Sequence, residues 1–267
     1  MKIVDHRLVG DDVVHLESPN QSGTIEPTAI ILHYTASGGK DGKGDAEYLS
    51  RRQARASAHL VVGRDGSKYQ LVDFNKKAWH AGKSKLNGKS NVNGFSIGIE
   101  IDNWGWLTNG KSHTGAEVPE EMIYKAERHG RSEWEKYPQV QLDVVEELIA
   151  LLVEAYPSIT VIEGHDVISP GRKQDPGPAL DAFKAMVQEK YVKQETPVPT
   201  PKASSKRTKE VTASGLRLRL RPVGTAAILS TYPKGTPVVV LKGEYYPGWD
   251  KVRVGSRVGY MANRYLT

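Results

Sequence analysis

The stretch Ala29-Ile30-Ile31-Leu32-His33 is a continuous apolar run closed by a histidine. A strand with one wet face alternates apolar and polar residues; a strand covered on both faces does not. The run therefore predicts a fully buried strand with a polar residue at its exit. The loop Tyr34-Thr35-Ala36-Ser37-Gly38-Gly39 follows it. Further along, strand and helix patterns alternate. Residues 44–56 are compatible with a helix. Ala58 to Gly63 and Lys68 to Val72 read as short strands joined across Arg64-Asp65-Gly66, because Asp-Gly is a hairpin signal. Ser96 to Ile101 is another β-branched run. Leu142, Val145, Ile149 and Leu152 recur at helical spacing within 140–155, and Pro157 follows the end. Val161-Ile162-Glu163 is a short strand, and Leu180, Phe183 and Val187 mark a last amphipathic helix. This alternation predicts an α/β unit, a central sheet flanked by helices and mixed because it includes a hairpin. Residues 103–138 interrupt the pattern. They are rich in Gly, Trp and charge, and their length predicts a functional rim rather than a core element.

Residues 192–209 contain three prolines alternating with small and charged residues, which predicts a semi-extended linker. It separates a body of residues 1–191 from a tail of residues 210–267. The tail alternates strictly in Leu216-Arg217-Leu218-Arg219-Leu220-Arg221 and breaks at Pro222-Val223-Gly224. Short strands follow at Pro237 to Leu241, Trp249 to Val254 and Val258 to Met261, so the tail is expected to be a small all-β barrel.

The chain of 267 residues carries a net charge of +6, unevenly spread. Residues 191–267 hold 14 Lys and Arg against 4 Asp and Glu, which is +10 and leaves −4 for residues 1–190. A basic tail on a mildly acidic body suits an anionic surface: nucleic acid, a membrane or a cell wall. A solubility bias would give the same imbalance. No apolar run reaches the ~18 residues that a membrane span needs. Met1-Lys2-Ile3-Val4-Asp5-His6-Arg7 has no apolar segment of the kind that marks a secretory signal, so cytoplasmic synthesis is expected. The chain has no cysteine, which excludes disulfides and thiolate ligands; any metal must be held by His and carboxylate.

The stretch Gly164-His165-Asp166-Val167-Ile168-Ser169-Pro170-Gly171-Arg172-Lys173-Gln174-Asp175-Pro176-Gly177 offers that chemistry. His165 follows a strand, and a Pro- and Gly-rich loop lets Asp175 turn back toward it. His33, at the end of another strand, completes a candidate set of three ligands. Hydrolytic zinc sites take three protein ligands and leave one position for water. Glu100 interrupts the apolar strand Ser96-Ile97-Gly98-Ile99-Glu100-Ile101. A carboxylate there is costly unless it is paired or used, which suits a general base; alternation also allows a plain surface position. Lys173, two residues from Asp175, can face a developing oxyanion, or be an exposed loop lysine. His59 and His80 can each be a fourth ligand, a substrate contact or a structural residue. Substrate contact is the reading favoured for both, with Trp79 and His80 at the rim.

At these residues the body resembles the type 2 N-acetylmuramoyl-L-alanine amidases, the zinc amidases of peptidoglycan that include phage amidases and peptidoglycan recognition proteins. The resemblance is carried, in the family's order over roughly residues 25–190, by Ile31-Leu32-His33-Tyr34-Thr35, Ser57-Ala58-His59 with its hairpin, Ala78-Trp79-His80-Ala81-Gly82, Ser96-Ile97-Gly98-Ile99-Glu100, and Gly164-His165-Asp166 followed by Lys173 and Asp175. It implies His33, His165 and Asp175 as ligands of Zn2+, Glu100 as the catalytic acid/base and Lys173 as the oxyanion stabiliser. Some members have Tyr before the hairpin histidine; Ala58 stands here, so that hydroxyl's role is either lost or taken up by another residue, for which Tyr34 is the candidate. The tail resembles a bacterial SH3-like cell-wall module through Leu216 to Gly224, Gly248-Trp249-Asp250-Lys251-Val252, Val258-Gly259-Tyr260-Met261 and Tyr265-Leu266.

The resemblance implies hydrolysis of the bond between N-acetylmuramic acid and L-alanine in bacterial peptidoglycan. The expected protein is a monomer, has no transmembrane segment or nucleic-acid partner, and acts on the cell wall after release, in the manner of a phage endolysin. Two alternatives stand beside it: a peptidoglycan-binding protein that does not cut, and a cytoplasmic amidase that recycles soluble anhydro-muropeptides.

Overall fold

In the computed structural model the chain forms two units, Met1–Glu195 and Thr196–Thr267. The structure describes residues 1–192, 207–219, 222, 224, 226, 228–246, 248–255 and 257–267. Most of the expected linker, 193–206, lies outside the described residues.

The first unit is built on a six-stranded sheet. In spatial order its strands are Val161–Gly164, Ala29–Tyr34, Ser96–Ile101, Leu60–Val62, Lys68–Gln70 and Val13–His15. The first four are mutually parallel, and Lys68–Gln70 runs antiparallel to Leu60–Val62 as the second arm of the Asp-Gly hairpin. Ile30, Leu32, Ile97 and Ile99 pack on Val145, Leu148 and Ile149 of the helix Gln139–Ala155. The other face is covered as well: Ala29 and Ile31 cluster with Ala81, Leu86, Val92 and Ile168. Burial on both faces is why 29–32 shows no alternation. Each fully buried Leu or Ile stabilises the core by ~1.5–3 kcal/mol.

Two local expectations change. The helix expected over 44–56 is shorter, Lys43–Leu49, with a separate 3-10 turn at Arg52–Ala54. Arg55 then takes a φ of 50°, which a right-handed helix does not accommodate. Residues 103–138 are more than a rim. They contain an antiparallel sheet in the order Trp106–Leu107, Arg131–Glu135, Ile123–Arg128, and Trp134 is fully buried within the unit. Its strands are short and charge-rich, so hydrophobic periodicity gave no signal for them.

The second unit is an antiparallel six-stranded sheet in the order Arg207–Glu210, Pro237–Tyr246, Trp249–Val254, Arg257–Ala262, Gly215–Arg219, Ile228–Pro233. Leu216 and Leu218 point into a core with Val211, Val238, Val252 and Met261, while Arg217 points out. Leu220 and Arg221, the end of the alternating run, lie outside the described residues. Among the described residues no helix is long and apolar enough to cross a membrane.

Candidate metal centre

Parallel pairing brings three candidate side chains to one level. Glu100 stands opposite His33 in register, and Gly164 opposite Leu32, so His165 leaves its strand beside His33. Carboxyl ends of parallel strands are where α/β sheets gather ligands. Because side chains alternate along a strand, Glu100 lies on the face opposite Ile97, Ile99 and Ile101. His33 occupies that same face, opposite Leu32. The face that alternation left open to solvent is the face of the site.

Nδ1 of His33, Nδ1 of His165 and Oδ2 of Asp175 lie 2.9 Å from one another, and all three side chains are buried. Their outer atoms assign the tautomers. His165 Nε2 stands 3.1 Å from the Ala81 carbonyl and 3.2 Å from Arg172 Nη2; in the tautomer that donates to the carbonyl its Nδ1 is bare. His33 Nε2–H donates to His80 Nδ1 at 3.0 Å, and His80 Nε2 faces Ser96 Oγ at 3.2 Å. This chain of protons leaves His33 Nδ1 bare too. Burial holds the His33 imidazole neutral by lowering its pKa to about 4. In these tautomers three electron pairs meet at short range with no donor among them. Such an arrangement is repulsive unless a cation sits between the atoms, and these three residues could hold one metal ion. Two imidazoles, each with a partner at its outer nitrogen, and a carboxylate fit the donor set of an open zinc site.

The triad opens on a cavity of about 430 Å³ that Glu100, Lys173, Tyr34 and Trp79 also line. Burial pushes the Glu100 carboxyl well above the ordinary carboxylate range; the charge of Asp175 adds to the rise and Lys173 opposes it. Tyr34 is half-buried and packs on Gly105, where a Cβ would come within 2.4 Å of the phenol ring. Trp79 is 38% exposed.

A family model described as N-acetylmuramoyl-L-alanine amidase (Amidase_2) matches residues 23–178, more than half of the chain and all of the site. The chain belongs to this amidase family. Among its relatives, the 1,6-anhydro-N-acetylmuramyl-L-alanine amidase AmpD of Salmonella typhimurium is 35% identical over 136 residues, covering 50% of this chain and 58% of the relative. The chain therefore spans a little over half the length of that relative. The AmpD of Enterobacter cloacae is 33% identical over 197 residues, covering 66% of this chain and 90% of the relative. A solved structure, a Se-Met AmpD derivative, matches with a TM-score of 0.52 at 25% identity, over 72% of this chain and 100% of that one. The first unit accordingly has the mixed α/β fold of the amidase family.

Within this amidase fold the remaining candidates divide. His80 is buried, serves as the outer partner of His33 and also lines the cavity. It lies flat on Gly98, where a Cβ would stand 2.4 Å from the imidazole, so only glycine admits it. His59 does not line the cavity. Its Nε2–H donates to the Lys76 carbonyl at 2.8 Å and its Nδ1 accepts from the Gly98 N–H at 3.0 Å, so no ring nitrogen is left for a substrate. That expectation is corrected: full burial makes His59 a bracket between strand and loop. Sequence reasoning missed Asp45, Tyr48, Arg172 and Gln174, which also line the cavity. Arg172 donates to the carbonyls of Ala81 and Lys83 at 2.8 and 3.0 Å and so joins the two loops behind His165. Adjacency to Lys173 was its one available signal; Asp45, in a short polar helix, had none.

Proposed function

We propose that the chain hydrolyses the amide between the lactyl group of N-acetylmuramic acid and L-alanine, with a zinc ion held by His33, His165 and Asp175. The observation that carries this reading is the convergence of three bare ligand atoms beside Glu100 in one cavity. Membership of the amidase family supports it. A bound zinc ion supplies a water of pKa near ~7 instead of ~15.7, and polarises a carbonyl oxygen. Glu100 takes the proton of the attacking water and returns it to the leaving amine. Its raised pKa suits both tasks. Lys173 directs its ammonium to the oxygen on which charge gathers. Tyr34 and Trp79 form the cavity wall against which the substrate rests. The Glu100→Gln variant should keep one zinc per chain and lose ~10²–10⁴-fold in amide cleavage; near-wild-type turnover would overturn the assignment. Release of new amino termini from digested wall by the wild type separates this reading from a protein that binds without cutting.

The second unit makes an intact wall the favoured substrate, as for an endolysin. It is a compact β unit within the +10 tail, and we assign it as an SH3-like module that meets the anionic wall. The names of the AmpD relatives favour a second reading, the recycling of soluble anhydro-muropeptides. Rates on intact sacculi and on soluble anhydro-muropeptides decide between the two. A wall enzyme loses its preference for sacculi as salt is raised; a recycling enzyme prefers the soluble substrate at every salt concentration.

A further inference from the structure

Asp175 reaches the site from a loop, and loops position ligands poorly unless something fixes them. In this chain the fixing groups come from residues 123–137, the insert and its exit. Tyr137 Oη–H donates to the carbonyl of Pro176, the residue after Asp175, at 2.7 Å. The Trp134 ring lies against Gly177, at φ 75°, where a Cβ would come within 2.6 Å of Cε3. The ring is itself anchored, its Nε1–H donating to the Ala126 carbonyl at 3.0 Å. On the other flank, Arg128 Nη1 donates to Asp166 Oδ2 at 3.2 Å and to Asp181 Oδ1 at 3.1 Å. Asp166 follows His165, and its N–H donates to the Asp175 carbonyl at 2.7 Å. Insert-derived groups therefore hold both the residue after His165 and the two residues after Asp175, from outside the ligand triangle.

We propose that the insert is a buttress for the metal-ligand loop, with Tyr137, Trp134 and Arg128 as positioning residues that raise metal affinity without touching metal or substrate. The proposal rests on the reading of His33, His165 and Asp175 as a zinc site. Zinc affinity, not activity, tests it. The Kd of purified full-length chain for zinc is measured by competition with a chromophoric chelator, alongside the melting temperature of the zinc-free protein. Tyr137→Phe and Arg128→Gln should each weaken zinc binding about tenfold, in the range seen when outer partners of ligands are lost. Leu148→Ala, which opens the core under the helix Gln139–Ala155, should lower the melting temperature and leave the zinc Kd unchanged. Trp134→Phe, a milder change than removal of the ring, should fall with the first pair. A zinc Kd within twofold of wild type in the Tyr137→Phe/Arg128→Gln double variant overturns the buttress while leaving the zinc site standing. A wild-type chain that binds no zinc overturns both.

Discussion

Around Arg64, two buried carboxylates meet a guanidinium; around Asp175, a buried carboxylate meets two imidazoles and, among the described residues, no lysine or arginine. Arg64 forks Glu135 through Nε at 3.1 Å and Nη2 at 2.8 Å, reaches Asp102 through Nη1, and donates to the carbonyls of Ser37 and Gly39. Its five contacts use the planar fork that only arginine offers. The second cluster has comparable burial, but its nearest guanidinium, Arg172, meets the outer nitrogen of His165 at 3.2 Å and does not reach the three ligand atoms. A polar cluster that carries its own counter-ion is largely satisfied when the chain folds; here Asp102 Oδ2 is the one oxygen of the two carboxylates left without a partner among the described residues. A cluster that lacks a counter-ion is completed by something the chain must bind. The difference separates a structural site from a functional one more cleanly than burial or residue type does.

The largest test of the contrast removes the built-in cation. Arg64→Met leaves Asp102 and Glu135 buried without their cation, held by Ser37, Thr35 and the Trp104 N–H, and should cost ~3–5 kcal/mol of unfolding free energy in urea. A loss below ~1 kcal/mol would mean that the two clusters are alike. Next comes protonation. Burial lowers the His59 imidazole from 6.5 to about 4. Between those values the unfolded chain takes a proton that the folded chain refuses, so stability is full above pH 6.5 and falls as pH drops. By pH 4 this group alone should remove about 3 kcal/mol. Urea midpoints of zinc-free protein across that range read the slope, and His59→Gln should make it shallower by that share, leaving the part that the buried His33 and His80 contribute. The smallest effect is completion of the second cluster. Zinc at a hundredfold excess over its Kd should raise stability by ~2.7 kcal/mol in wild type and by nothing in Asp175→Ala. An equal shift in both chains would place the metal elsewhere.

Much of the first unit was legible because its strands obey local rules. The unbroken run Ala29 to Leu32 reported burial on both faces, and Arg64-Asp65-Gly66 reported a hairpin. The three ligand types were legible as well, since a chain without cysteine has only His and carboxylate to offer a borderline metal. The roles of His59 and His80 were not. Each stands before or within an apolar strand or loop, and what distinguishes them is which remote atom their nitrogens meet. The Lys76 carbonyl takes one ring and the His33 imidazole the other. The insert was illegible for a related reason. Trp134 is buried by Gly177, a residue 43 positions away, and not by its sheet neighbours alone.

From its sequence alone this protein has a mixed α/β core, a basic β-rich tail, and a candidate His, His, Asp donor set with a carboxylate in another apolar strand. These follow from composition and from periods of 2 and 3.6 residues, which are local properties. The tertiary structure decided which lone pairs face each other, which histidine orients a ligand and which is a bracket, and that the insert grips the loop of Asp175. Those are matters of a few tenths of an ångström between residues 10 to 142 positions apart, and only closure of the whole sheet sets them.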